Sequence, residues 1–377
     1  MPNEGLPITP ALVTWARTRA GLSIDDAKNF GKIDEWERGD SSPTYPQLEA
    51  LATALKVPIA VFFFPEPPKV PDIAQTFRTL PDTEFEHIPS RVKLLLRKAK
   101  AFQLNLMKMT GGRNPAPRVI TNDLTFTSDA DLVDAADKVR TYLGISLETQ
   151  QSWQDANEAL KAWRQALQAV GVYIFKDAFK TDEFSGFCLF DEVFPLIYVN
   201  NSSAKTRQIF TLFHELAHLL FNTSGIDTLH GDYLTKLQGD SKSIEIFCNR
   251  FAAEFLLPEG AFVSAMNGQT ASEATAELLA SSYHVSREFV FRRFLDHNWI
   301  NEVAYTEAAQ RWSQQRGGGS GGDYYWTKLS YLGRDYVALA LSEFHRSRIN
   351  ETQLAEYLDT KPKNLAGIED YFGRGSS

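Results

Sequence analysis

The chain has 377 residues and a net charge of -8, with 43% hydrophobic and 12% aromatic residues. This composition is typical of a globular protein with more than one domain, and the acidic balance argues against a protein that coats nucleic acid over its whole surface. Two cysteines are too few for a disulfide scaffold, and the sequence shows neither a signal peptide nor an apolar run near the ~20 residues of a membrane span. We therefore expect a protein of the cytoplasm.

Residues 1–66 are predicted to be helical from about Ile8 up to the proline-rich stretch FFFPEPPKVP (62–71). The segments LVTWARTRAGLSIDDAK and IDEWERGDSSPTYPQLEALATALKVP resemble a helix-turn-helix domain of the Cro/repressor type. Between Leu22 and Trp36 the chain is shorter than that pattern, which predicts a truncated recognition helix. This region holds six Lys/Arg against nine Asp/Glu, so it lacks the basic surface that phosphate contacts require. We expect a docking or autoinhibitory module rather than a DNA reader.

The next segment is a basic connector, in which RVKLLLRKAKAFQLNLMKM has apolar residues at helical spacing. Residues 76–118 carry nine Lys/Arg against three acidic residues. A solvated helix face is the expected explanation. The alternative is a nucleic-acid surface that switches the protein on, with DNA as the trigger. Its basic residues would be Arg91, Lys93, Arg97, Lys98 and Lys100.

Two helices are predicted at about 129–143 and 153–170, followed by GVYIFK, SGFCLF and PLIYVN as strands of a small sheet. The apolar helix containing FTLFHELAHLLF (210–221) comes next. A loop is predicted from Thr223 to Ser241, and then a second helix, KSIEIFCNRFAAEFLLP, which Pro258 ends.

The last part of the chain is predicted to be helical as well. Helices continue to about Ala309, GGGSGG (317–322) reads as a flexible linker, and the tail from Tyr324 to Phe372 has helical patterning. The segment VSREFVFRRFL (285–295) looks like a further helix-turn-helix. Its phenylalanines need burial, so we expect it to pack behind the core.

The motif H-E-x-x-H lies in the middle of the first apolar helix. Residues four apart share one helix face, so His214 and His218 can both present a ring nitrogen to one ion at about 2.0–2.1 Å. Glu215 stands beside them, where a general base for an attacking water is needed. The alternative is two buried histidines that share this spacing by chance. The metal interpretation is favoured because the motif lies on a long apolar helix.

A catalytic zinc site needs a third protein ligand. The downstream candidates are His230, Asp232, Glu245 and Glu254. Glu245 lies on a helix with several phenylalanines, where a carboxylate is costly to bury unless it is paired or binds a metal. The spacing of these candidates along the chain favours Glu245 over the others only moderately.

The segment from about Gly171 to Tyr305 resembles the ImmA/IrrE family of zinc metallopeptidases. The matching pieces are FSGFCLFDEVFPLIYVN, RQIFTLFHELAHLLF, EIFCNRFAAEFLLP and SSYHVSREFVFRRFLDHNWI. The resemblance implies that His214, His218 and Glu245 are the zinc ligands and that Glu215 is the catalytic base. It also implies that Asn249 supports the site without binding the metal. Manganese would suit the same ligand set.

Members of this family are implied to cut transcriptional repressors, often of the helix-turn-helix type, and so to release stress, prophage or mobile-element genes. The resemblance therefore predicts a zinc-dependent endopeptidase that acts on a repressor or an antitoxin-like partner in a stress, prophage or phage-defence response. His230 and Tyr233 are candidate donors to the oxyanion of the reaction. Two alternatives are a DNA-binding transcriptional regulator and a toxin–antitoxin or defence complex component, each with a peptidase-like domain that does not cleave.

Cys248 follows Glu245 by three residues on the second helix. Its thiolate could occupy the open metal position and silence the enzyme, although a small buried helix residue is the commoner explanation. The tail INETQLAEYLDTKPKNLAGIEDYF resembles a degenerate helix-turn-helix that could cover the core or bind a partner.

The predicted fold class is α+β, mainly helical, with a zincin-like peptidase core and a small β-sheet, flanked by helical domains. The predicted domains are a repressor-type domain (1–66), the basic connector (67–128), the peptidase core with its following helix-turn-helix-like helices (129–310), the Gly-rich linker (311–323) and a C-terminal helical domain (324–377).

Overall fold

The structure is a computed structural model of the chain. It describes residues 5–20, 22, 24–55, 57–68, 88–127, 129–228, 237, 239–314 and 322–374. These residues group into two compact units, one holding the described residues up to 98 and the other those from 99 onwards. Within these ranges, none of the helices has the length and apolar character that a membrane crossing requires.

The regular structure in the described residues of the first unit is helical. Its helices are α1 (Pro10–Ala20), α2 (Ile24–Ala27), α3 (Ile33–Arg38) and α4 (Tyr45–Leu55), with 3₁₀ turns at Lys28–Phe30 and Ile59–Phe63; the beginning of α5 (Ser90–Thr110) also belongs to it. Leu12, Trp36, Leu51 and Phe62 are among the residues of its own buried core. The helical prediction for this region is confirmed.

The helices between Leu22 and Trp36 in this unit are short. Helix α2 has four residues and α3 has six, and only a 3₁₀ turn and two further residues separate them. Arg17, a basic residue of α1, is bound at 2.5 Å by Glu37 of α3. The assignment of a helix-turn-helix function to this unit stays a prediction.

The second unit begins with the remainder of α5 and continues through α6 (Ile120–Asp123), α7 (Leu132–Leu143), α8 (Leu147–Ser152) and α9 (Ala156–Ala169). Capping explains where α7 and α9 start. The side chain of Asp131 accepts the Asp134 N–H, and the side chain of Asp155 accepts the N–H groups of Asn157 and Glu158. Helices α7 and α9 thus lie close to their predicted ranges.

A four-stranded mixed sheet forms the centre of this unit. Its strands are β1 (Tyr173–Asp177), β2 (Phe184–Leu189), β3 (Leu196–Asn200) and β4 (Ile226–Thr228), in the spatial order β1-β3-β2-β4. Strands β1 and β3 are parallel, whereas β2 runs antiparallel to both β3 and β4. Strands β1, β2 and β3 are buried along their whole length, which accounts for their mainly apolar sequences without strict alternation.

Helix α10 (Lys205–Leu220) packs on one face of the sheet and against α11 (Gly239–Leu256). A Cβ atom at Gly186 of β2 would lie 2.5 Å from Cγ2 of Thr211 on α10, so this position requires glycine for the sheet to approach the helix. The predicted loop from Thr223 to Ser241 is wrong in part. It contains strand β4, and α11 already begins at Gly239. A three-residue strand is too short to give an alternating pattern in sequence.

Further helices follow α11 in the described part of the chain. They are α12 (Glu259–Ala265), α13 (Glu273–Tyr283), α14 (Arg287–Asp296), α15 (Glu302–Ser313), α16 (Tyr324–Leu332), α17 (Arg334–His345), α18 (Glu351–Tyr357) and α19 (Leu365–Arg374). In α14, Phe291 and Phe294 are buried and Phe289 packs against the core, as expected from the sequence. Residues 315–321, which include most of the predicted linker, lie outside the described residues. The predicted α+β, mainly helical fold class is confirmed.

Candidate metal centre

Helix α10 supplies two imidazoles to a completely buried position. Every residue from Thr211 to Leu220 is buried, so apolar packing on several sides fixes the helix. Phe213, for example, packs edge-to-face on Trp163 and stacks on Phe255, with ring centroids 4.9 Å and 4.1 Å away. His214 and His218 lie one turn apart, with ring centroids separated by 5.0 Å.

Glu245 of α11 reaches both imidazoles. Its Oε1 atom lies 3.3 Å from Nε2 of His214, and its Oε2 atom lies 3.1 Å from Nε2 of His218. Ligand atoms bound tetrahedrally at 2.0–2.1 Å from zinc stand about 3.3 Å apart. The two distances therefore match the edge of a tetrahedral zinc site, and the ligand atoms of all three residues lie within 4.8 Å of one another.

The polar atoms of this triad are poorly satisfied without a cation. Both ring nitrogens of His214 are buried and have no hydrogen-bond partner among the described residues. Burial lowers the pKa of His214 and so favours the neutral imidazole that binds metals. Burial opposes ionisation of Glu245 as well, but its contact with His218 and the hydrogen bond from Asn249 favour the carboxylate, and the pKa of Glu245 is lowered to about 2. Two imidazoles and an ionised carboxylate suit zinc.

Glu215 lies on the same helix, next to His214 in sequence, and is not one of the three residues of the triad. It is fully buried, and neither carboxylate oxygen has a hydrogen-bond partner in the described part of the chain. Burial raises its pKa to about 8, with Cys188 of β2 among the neighbouring groups that act on it. A buried, unpaired carboxylate beside two metal-ligand candidates is a typical arrangement for proton transfer.

Two neighbours hold the ligands in place. Asn249 donates to the Oε1 atom and to the main-chain carbonyl of Glu245, at 3.1 Å and 3.0 Å. The imidazole of His218 lies directly against Gly225, because a Cβ atom there would stand 2.7 Å from Cγ and Cδ2 of the ring. The N–H of Gly225 in turn donates to Sγ of Cys188 at 3.2 Å.

A protein-family model matches the part of the chain that contains the triad. Residues 167–295 match the IrrE N-terminal-like domain of the Peptidase_M78 family. This segment contains the whole sheet, α10 and α11, and so all three residues of the His214–His218–Glu245 triad. The match supports the resemblance to the ImmA/IrrE family and indicates a regulator of the metallopeptidase type. No curated protein matches the chain.

Among the described residues, the ligand candidate Glu254 does not join this cluster. Glu254 is buried, and its carboxylate accepts the main-chain N–H of Glu259 at 3.1 Å and 3.2 Å, so it caps the start of α12. His230, Asp232 and Tyr233 lie outside the described residues. Their predicted parts in the site stay predictions.

Cys248 is buried beside His218 and affects the pKa of the His218 imidazole. Burial opposes a charge on His218, yet Cys248 and Glu245 raise the pKa of the imidazole well above its usual value. The cluster of three groups able to hold a metal does not include Cys248. That the Cys248 thiolate silences the enzyme by occupying the open metal position stays a prediction.

A polar group near the site was missed by sequence reasoning. Asp227 of β4 is buried and accepts two hydrogen bonds from Arg207, at 3.0 Å and 2.9 Å, and one from Thr211 at 3.1 Å. Its negative charge acts on both His214 and Glu215. Because β4 was expected to be a loop, no pattern in the sequence pointed to Asp227.

The predicted basic surface is not uniformly solvated. Arg97 donates to the carbonyl of Arg19 within the first unit, and burial lowers its pKa to about 10. Lys100 is exposed and donates to Gln103 at 3.0 Å. Arg91, Lys93 and Lys98 are each partly buried. The nucleic-acid assignment stays a prediction.

Proposed function

We propose that this chain is a zinc-dependent endopeptidase that cleaves a transcriptional repressor or an antitoxin-like partner in the cytoplasm. The observation that carries the proposal is the buried triad of His214, His218 and Glu245, with the unpaired carboxylate of Glu215 beside it. The match of residues 167–295 to a peptidase family supports it. The repressor-type partner, and the stress, prophage or defence response, follow from the family resemblance.

The residues of the site can each take a separate role in peptide-bond hydrolysis. The triad would hold the ion, which supplies a Lewis acid for the scissile carbonyl and the attacking water. Glu215 accepts the proton that the water loses and transfers it to the nitrogen of the leaving amine. Asn249 keeps the carboxylate of Glu245 oriented through its 3.1 Å hydrogen bond. The packed helix α10 keeps the base and the two imidazoles in one geometry.

A cleavage assay tests this proposal. Wild type and Glu215→Gln would be incubated with the repressor-like protein encoded next to this chain, with zinc or manganese, and with and without DNA. The expected result is a discrete fragment from wild type alone, at equal metal content in both proteins. A requirement for DNA would identify DNA as the trigger.

Other outcomes would replace the proposal. An intact partner in every condition, with metal bound, would contradict the peptidase assignment. In that case a stable complex with the uncleaved partner would favour a toxin–antitoxin or defence component. Sequence-specific DNA binding that survives Glu215→Gln would favour a transcriptional regulator.

A further inference from the structure

The Nδ1 atom of His218 is buried and has no hydrogen-bond partner among the described residues. Metal-binding histidines usually donate from their second ring nitrogen to a carboxylate, a carbonyl or water, and that bond orients the ring. Here the main chain of Gly225 lies against the ring instead. A Cβ atom at Gly225 would stand 2.7 Å from Cγ and Cδ2 of the imidazole and 3.0 Å from its Nδ1. The orientation of the His218 ring therefore depends on the position of Gly225.

Gly225 immediately precedes β4, which the sheet holds by a short ladder. Strand β4 has three residues, and in the described sheet it stands at the edge and pairs with β2 alone. The register of this pairing is interrupted between Phe184 and Gly186. Gly225 adds two bonds to Cys188, whose N–H donates to its carbonyl at 2.9 Å and whose Sγ accepts its N–H at 3.2 Å. A short and irregular edge strand is a weak support for a ligand that must be placed within about 0.2 Å.

The carboxylate of Asp227 ties β4 to α10 at a second place. It accepts two hydrogen bonds from Nη2 of Arg207, at 3.0 Å and 2.9 Å, and one from the hydroxyl of Thr211 at 3.1 Å. Arg207 also donates from Nε to the hydroxyl of Ser185 on β2 at 2.9 Å. These four side chains, which we call the Asp227 clasp, join α10, β2 and β4 at one point. Asp227 is buried, so the charged pair at its centre is only weakly screened by salt.

The clasp and the contact with His218 together fix β4 on α10. Gly225 and Asp227 are two positions apart and both face this helix. Thr211 and His218 are seven residues apart, which is two turns of one helix face. The strand segment thus contacts α10 at two points, with Asp227 against Thr211 and Gly225 against the imidazole. Two contacts fix both the position and the tilt of the segment, whereas one would leave it free to swing.

We propose that Asp227 is a positioning residue for the metal centre: its clasp with Arg207 and Thr211 fixes β4, and Gly225 then holds the imidazole of His218 in the orientation that binds the ion. This inference rests on the metal site of the proposed function. It gives a role to a buried ion pair that peptide-bond hydrolysis itself does not use. An ion pair with a structural role alone would contribute stability, whereas a positioning pair also contributes metal affinity.

Zinc affinity and the visible spectrum of the cobalt-substituted protein test this role without a cleavage assay. In competition with a chromogenic chelator, Asp227→Ala should bind zinc about 10- to 100-fold more weakly than wild type. The absorption bands of bound cobalt(II) should shift, because they depend on the geometry of the ligands. Glu343→Ala is the matched control, since Glu343 of α17 is also a buried carboxylate that accepts from an arginine, Arg348, at 3.1 Å and 3.4 Å. This control should lose stability in urea but keep the zinc affinity and the cobalt spectrum of wild type.

Two milder variants cover the case in which Asp227→Ala does not fold. Asp227→Asn keeps one oxygen that can accept from Thr211, and Thr211→Val removes one hydroxyl while the pair of Arg207 and Asp227 remains. Each should weaken zinc binding several-fold. Zinc affinity and cobalt spectra equal to those of wild type in the folded variants would overturn the proposal, and so would an equal loss of affinity in Glu343→Ala. Wild type that binds no zinc would contradict the metal centre itself, and with it both the proposed function and this role.

Discussion

Replacing Gly225 by alanine should disable the metal site without touching a ligand. The new methyl group would stand 2.7 Å from Cγ and Cδ2 of His218 and 3.0 Å from its Nδ1. Carbon atoms in contact prefer about 3.5–4.0 Å, so the imidazole or the strand must retreat by roughly 0.8 Å or more. Metal–ligand bonds tolerate only about 0.2 Å. We therefore expect zinc affinity to fall at least about 10- to 100-fold, the range found when the supporting contacts of a ligand are lost.

Competition with a chromogenic zinc chelator measures this loss, and Gly260→Ala is the matched control. A Cβ atom at Gly260, in α12, would meet no atom within 4 Å, so this variant should bind zinc like wild type. Circular dichroism of the metal-free proteins would establish that both variants fold. Unchanged zinc affinity in folded Gly225→Ala would refute the reasoning, because His218 could then not be a ligand in the position described.

Three further outcomes are expected. Glu215→Gln should keep its zinc but lose about 10²- to 10⁴-fold in cleavage rate, since the proton acceptor is removed; rate and metal content are measured on the same sample. Asn249→Ala should lower zinc affinity about ten-fold or more in the chelator assay, because the carboxylate of Glu245 loses its 3.1 Å donor. Asp227→Ala should reduce the free energy of unfolding by about 1–3 kcal/mol in urea titration, because Arg207 and Thr211 lose a buried acceptor. An unaltered urea midpoint in that variant would mean that water can replace the contact between Arg207 and Asp227 without a loss of stability.

Local patterns predicted much of this structure. The histidine spacing in α10 and the apolar strands β1, β2 and β3 depend on residues close in sequence, so periodicity was sufficient to locate them. Glu245 needed the family resemblance, since other acidic residues downstream had comparable spacing. The structure places it between the two imidazoles, at 3.3 Å and 3.1 Å.

What could not be predicted depends on tertiary packing. Gly225 is important only because the ring of His218 lies on it, and Cys188 only because β2 passes beside Glu215. The bond between Arg207 and Asp227 joins α10 to β4, a strand too short to be recognised in sequence. No local pattern encodes these contacts.

The triad also has a consequence for the order of folding. Its two imidazoles come from adjacent turns of α10, so they are in position once that helix forms, whereas Glu245 is 27 residues beyond His218 in the chain. Closing a loop of this length carries an entropic cost that local contacts avoid, and the carboxylate arrives only when α11 docks. An ion held by two imidazoles alone would be bound weakly. Tight metal retention would therefore mark chains in which α11 has docked, and a metal-exchange time course would follow the last stage of assembly.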